Sequence, residues 1–239
     1  MTVRLCVFDA YGTLFDVAAA AREVADGSLP EGATEEETED HYARFSAFSE
    51  TWRAKQLGYS WLRATYGTHT DFWQVTTQAL DFALEMHDMD GDDALRAALL
   101  QIYWELPAYD EVARVLYALR AEGRQMAILS NGAPDMLEGA VQSAGLTEYL
   151  DAVLSAEQVG VFKPSPAVYD LVGQVFGVTR REVLFVSSNG WDACCAAGYG
   201  FHTVWVNRRG EPLDRLPWKP ADEVTSLSGL AKLKILETA

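Results

Sequence analysis

The chain has 239 residues, 49% of them hydrophobic, enough to bury a sizeable core in one large domain or in a core carrying a smaller insert. Its 35 acidic against 19 basic side chains give a formal charge of -16, which repels nucleic-acid phosphates and anionic lipid headgroups and argues against both as partners. No apolar run approaches the ~18 residues a membrane helix needs, and the N-terminus has no basic-then-apolar leader pattern, so a cytoplasmic protein without a membrane partner is expected.

Cys6, Cys194 and Cys195 are odd in number and two are adjacent, a spacing that makes no disulfide framework. His41, His69, His87 and His202 are scattered, and no Cys or His pair has zinc-ligand spacing. Reduced thiols and no zinc site are expected.

From the N-terminus, residues 5–8 form a short apolar run that stops at Asp9, which predicts a fully buried parallel strand. The stretch from about Val17 to Arg96 has no such run; its aromatic residues recur at helical spacings, so a mostly helical insert is expected there. The acidic tract at 35–40 within it is open to reading as a mobile loop. The strand pattern resumes after Leu106 and Pro107. A helix is expected over 110–121, a strand over 126–129 before Ser130, and helices over 134–143 and 166–176. A strand over 183–186 precedes Ser187, a short helix covers 193–197, and a last strand over 203–206 precedes Asn207.

This alternation predicts an α/β fold: a doubly wound, mainly parallel Rossmann-like sheet with an inserted helical cap. Residues 1–16 and 99–239 would form the core and residues 17–98 the cap, placed as a lid. In such sheets ligands bind beyond the carboxyl ends of the strands, where Asp9, Ser130, Asn131, Ser187, Ser188 and Asn189 all fall. Asp9 opens the string Asp9-Ala10-Tyr11-Gly12-Thr13, in which Gly12 suits a tight turn that wraps backbone donors around a carboxylate. Taken alone, an Asp at a strand end is more often a helix cap.

Four motifs in order change that balance. Asp9 before Gly12-Thr13-Leu14, Ser130 in Leu129-Ser130-Asn131-Gly132, Lys163 in Phe162-Lys163-Pro164, and Asp192 in Ser187-Ser188-Asn189-Gly190-Trp191-Asp192 resemble the motifs of the haloacid dehalogenase superfamily over nearly the whole chain. Two departures from its phosphatases matter. Tyr11 stands where they carry a second acid that protonates an alkoxide leaving group, and halide, a weak base, needs no proton. Ser188 stands where they carry an acid for magnesium, a hard cation that needs anionic oxygen. The chain is therefore similar to the L-2-haloacid dehalogenases, which the segments Trp52-Arg53-Ala54-Lys55-Gln56-Leu57 and Tyr59-Ser60-Trp61-Leu62-Arg63 also resemble.

That resemblance implies hydrolytic dehalogenation of a small 2-halocarboxylate, with inversion, through an aspartyl ester on Asp9, without metal or cofactor. It assigns Lys163 to neutralise Asp9, Thr13 to brace it, and Ser187, Asn189 and Asp192 to order the hydrolytic water; which of these takes the proton stays open. Ser130 and the backbone amides near Ala10 and Tyr11 would hold the substrate carboxylate, with Tyr169 hydrogen-bonded in the same network. Arg53, Asn131 and the ring edge of Trp191 would cradle the halide. Tyr11, Leu14, Leu57 and Trp61 would wall the pocket, and a homodimer is implied. Each assignment competes with a plainer one: solvated lysine, surface ion pair, turn cap or core aromatic. A phosphatase or phosphonate hydrolase on the same fold, and a catalytically silent binding protein, are the alternatives.

Overall fold

A computed structural model describes residues 3–236. Six parallel strands form one sheet in the order β3-β2-β1-β4-β5-β6. In chain order they are β1 (Leu5–Phe8), β2 (Gln125–Ser130), β3 (Ala152–Ser155), β4 (Val183–Ser187), β5 (His202–Val206) and β6 (Asp222–Val224). The order runs one way and then the other from β1, so the chain switches direction between β1 and β4, and a crevice opens at their carboxyl ends. Every residue of β1 and β4 is buried, as expected of central strands covered on both faces. Val7 pairs with Ala127 on one side and with Phe185 on the other, so Asp9, Ser130 and Ser187 emerge at one rim.

The sequence reading found the four inner strands and missed both edges. β3 buries only its last two residues and its apolar run, Ala152-Val153-Leu154, is only three residues long, while β6 is Asp222-Glu223-Val224 and carries none. For β6 the edge position is the physical reason: an edge strand is not covered on every side and can stay polar.

Helices α5 (Val112–Ala121), α6 (Pro134–Ser143), α7 (Pro166–Phe176) and α8 (Gly190–Tyr199) alternate with the strands. α6 and α7 start at Pro in the first turn, where a missing N–H costs nothing. α8 is twice the length expected from 193–197, because Gly190, Trp191 and Asp192 form its first turn. That correction matters for chemistry, since it fixes Asp192 on a rigid element.

Between β1 and β2 lie α1 (Val17–Ser28), α2 (Glu35–Tyr66), α3 (Phe72–Met86) and α4 (Asp93–Gln101). The acidic tract is not a loop but the first turns of α2. Thr34 caps it: its hydroxyl accepts from Glu37 N–H while the Glu37 carboxylate accepts from Thr34 N–H. Glu35, Glu36 and Glu37 also sit at the positive end of the helix dipole. α2 and α3 pack through buried Phe48, Trp52, Val75 and Leu80, and Trp52 Nε1 donates to the Thr76 carbonyl at 2.9 Å. The three cysteines are free thiols, and among the described residues no helix is long and apolar enough to cross a membrane.

Candidate active site

The loop that carries Asp9 is built by a turn at the end of β1. The Ala10 carbonyl accepts from the N–H groups of Thr13, Leu14 and Phe15, and Gly12 sits at φ +82°, where an L side chain would be strained. A Cβ on Gly12 would also press on Ser188 Oγ at 3.4 Å. The turn points Asp9 at the crevice, with 6% of its surface exposed.

Both Asp9 oxygens are engaged, and differently. Oδ1 accepts from Lys163 Nζ at 3.2 Å. Oδ2 accepts from Asn189 Nδ2 at 2.8 Å, Thr13 Oγ1 at 3.1 Å and, at the long limit, Ser187 Oγ at 3.5 Å. Thr13 is fixed in turn, accepting from Ser188 N–H at 2.8 Å. Ser188 Oγ donates to the Gly12 carbonyl, so it serves the turn.

Lys163 is 1% exposed and lies between two carboxylates, with Asp192 Oδ2 only 2.8 Å away. The Tyr169 hydroxyl donates to the other Asp192 oxygen at 2.7 Å. Burial works against the Lys163 charge, but Asp192 and Asp9 outweigh it and hold its pKa above the ordinary lysine value. Burial, with Asp9 adding to it against the pull of Lys163, holds Asp192 above the usual carboxylate range. The two directions agree physically: one ammonium serves two acids, so the lysine stays charged while the fully enclosed acid gains basicity. Burial and then Asp192 raise the Tyr169 phenol, which therefore remains a donor.

Helix α2 reaches this cluster through Arg53, whose Nη2 donates to Asn189 Oδ1 at 3.1 Å. Asn189 thus links Arg53 to Asp9. Asn131 enters from β2 and accepts from the Lys163 N–H at 2.8 Å, which orients its amide. Ser130 Oγ accepts from Gly132 N–H at 3.1 Å. Trp191 packs edge-to-face on Trp61 at 5.4 Å, and its buried Nε1 has no protein partner. The buried Tyr11 hydroxyl also lacks one; burial raises its pKa above the ordinary phenol value, so it stays neutral. Its ring stacks on Phe72 at 6.2 Å and meets Tyr103 edge-on at 5.6 Å. Leu14 is fully buried, Leu57 half-buried, and Trp61 is 36% exposed.

Direct hydrogen bonds therefore join Asp9, Thr13, Lys163, Tyr169, Ser187, Asn189, Asp192 and Arg53, while Ala10 shapes the turn. Ser130, Asn131 and Trp191 border this cluster without bonding to Asp9. Gln56, Phe72 and Tyr103 were not anticipated. Gln56 had one signal, its position three residues after Arg53 on a helix, where side chains neighbour each other. Phe72 and Tyr103 had none, because their contacts exist only once separate segments pack. Arg208, also unanticipated, steadies the loop from below, donating to the Thr13 carbonyl at 2.9 Å and to Glu111 at 2.8 Å. Among the described residues, no group of three or more His, Cys, Asp or Glu side chains is placed to hold a metal ion.

A sequence model of the haloacid dehalogenase-like hydrolases matches residues 3–200. The chain belongs to that family. It is 42% identical over 231 residues to (S)-2-haloacid dehalogenase 1 of Pseudomonas sp. strain CBS-3, covering 97% of this chain and 96% of the relative. With (S)-2-haloacid dehalogenase of Xanthobacter autotrophicus it shares 46% identity over 207 residues, 86% of this chain and 76% of the relative. A solved L-2-haloacid dehalogenase from X. autotrophicus, with chloropropionic acid covalently bound, superposes at a TM-score of 0.86 with 36% identity and full coverage of both chains.

Removing the shared cation would leave two buried carboxylates facing each other. Lys163→Met is expected to lower the unfolding free energy by about 3–5 kcal/mol, read by urea denaturation at neutral pH. A loss within experimental error would contradict the ion pairing described.

Proposed function

We propose that this hydrolase displaces halide from short-chain L-2-haloalkanoic acids, with no metal ion or cofactor, and releases D-2-hydroxy acids through an ester on Asp9. One observation carries the reading: a carboxylate with one oxygen on a buried ammonium and the other on three neutral donors. Ser188 stands where a phosphatase of this superfamily would carry an acid for its divalent cation, and the neutral Tyr11 stands where it would need a second acid. The 2-haloacid relatives support the substrate class.

In the first step Asp9 Oδ1 attacks C2 from behind the carbon–halogen bond. The bond to oxygen forms as halide leaves with its electron pair, and C2 inverts. Ser130 and the Ala10 and Tyr11 amides hold the substrate carboxylate, while Arg53, Asn131 and Trp191 receive the halide. The Trp191 Nε1, left without a protein partner, is a donor suited to an anion. Tyr11, Leu14, Leu57 and Trp61 keep the pocket small and apolar.

In the second step water attacks the carbonyl carbon of the ester. Thr13, Asn189 and Ser187 already donate to Oδ2, the oxygen that becomes the ester carbonyl, so they are placed to stabilise its negative charge. Asp192, held by Lys163 and Tyr169, takes the water's proton directly or through its neighbours. The hydroxy acid leaves and Asp9 is restored as a carboxylate. In this reading residues 1–16 and 99–239 are the catalytic core and residues 17–98 the cap, and the protein works in the cytoplasm as a homodimer. The exposed Leu62 and Tyr66 on α2 offer apolar surface for that contact.

Halide release from L-2-chloropropionate, with D-lactate as product and full activity in chelator, is the expected result, and Asp9→Asn is expected to abolish it. Magnesium-dependent turnover of a phosphate ester without halide release would replace this reading with a phosphatase. The pKa directions also set the pH profile. Protonating Asp192 removes the base, and its pKa is raised, so the acid limb should lie above the usual carboxylate range. Deprotonating Lys163 removes the counter-charge, and its pKa is also raised, so activity should persist to a pH above the ordinary lysine value. A profile that fails on the acid side only at an ordinary aspartate pKa would contradict the assignment of Asp192.

A further inference from the structure

Gln56 lies on α2 three residues after Arg53 and is wholly buried, at 0% exposure. Its amide is fully engaged. Oε1 accepts from Arg53 Nη1 at 3.0 Å, and Nε2 donates to Thr76 Oγ1 at 2.8 Å and to Tyr103 Oη at 3.2 Å. Thr76 directs its own proton to the Phe72 carbonyl at 2.7 Å, so toward Gln56 it can only accept. That fixes which end of the amide faces the arginine. Three segments, α2, α3 and the chain after α4, thus cooperate to hold one neutral acceptor against Arg53.

Both direct partners of the guanidinium, Gln56 Oε1 and Asn189 Oδ1, are uncharged amide oxygens. A carboxylate at position 56 would still pair with the arginine but would cancel its charge inside a site of low polarity, where such pairing is strong. A buried side chain here does not have to be polar for packing, and an apolar one would remove the cost of desolvating an amide. The use of an amide therefore points to orientation without neutralisation.

Resting on the haloacid reading above, we propose that Gln56 is a positioning residue for halide departure: its neutral amide aims Arg53 at the leaving atom and leaves the full positive charge for it. As Asp9 Oδ1 bonds to C2 and the carbon–halogen bond breaks, negative charge grows on the halogen, and the aimed guanidinium stabilises it. Chloride is the poorer leaving group and gains more from that stabilisation than bromide.

The test compares single-turnover halide release from L-2-chloropropionate and L-2-bromopropionate by the wild type, Gln56→Met and Gln56→Glu, with circular dichroism on each protein. Gln56→Met lets Arg53 drift and is expected to slow the chloro substrate about 100-fold, with a smaller loss on the bromo substrate. Gln56→Glu keeps the arginine in place by an ion pair yet is expected to show the same bias against chloride. Equal losses on both substrates, or a Gln56→Glu rate matching the wild type, would overturn the proposal and leave Gln56 a packing residue. Should Gln56→Met not fold, the Gln56→Glu ratio decides alone. A wild type inactive on both substrates would instead overturn the haloacid reading, a result separate from any change between variants.

Discussion

A single ammonium shared by two buried carboxylates is the constraint on which the site depends. Lys163 reaches Asp9 at 3.2 Å and Asp192 at 2.8 Å, with almost no water access. Charges so enclosed persist only when paired and hydrogen-bonded, and the cluster meets that demand from every side. Tyr169 completes Asp192, and Thr13, Asn189 and Ser187 complete Asp9. The parallel sheet makes the arrangement possible, because β1, β2 and β4 end at one rim and deliver side chains far apart in sequence to a few ångströms.

The α2 side of the site is tied to the sheet side through one amide. Asn189 donates to Asp9 and accepts from Arg53, so the arginine of α2 is registered to Asp9 by a chain of hydrogen bonds. Gln56 holds the same arginine from behind. The fold thus keeps two cations in different surroundings: Lys163 is matched by two acids, and Arg53 meets only neutral oxygens.

Much of this was legible in the sequence wherever a feature was local. The inner strands announced themselves as apolar runs ending in Asp9, Ser130 and Ser187, and α6 and α7 by a Pro at their first turn. β6 escaped because an edge strand needs no apolar face, and β3 because its apolar run is only three residues long. The acidic tract of α2 escaped as a helix because its capping box at Thr34 and Glu37 is a reciprocal contact that a loop reading ignores. In the site, Asp9 and Asn189 followed from strand ends, but Lys163 sits in a loop and was found through resemblance to a known family. Gln56, Phe72 and Tyr103 were out of reach, since their partners come from segments that meet only after packing.

The proposed function turns on Asp9 itself becoming covalently attached to substrate and being restored by water. A single turnover in water enriched in heavy oxygen, with enzyme in excess over L-2-chloropropionate, tests it most directly, followed by mass analysis of the peptide carrying Asp9. A heavier Asp9 peptide and an unlabelled hydroxy acid are expected, because water attacks the side-chain carbonyl. An unlabelled peptide with the label in the hydroxy acid would contradict it, since water would then have attacked the substrate carbon itself.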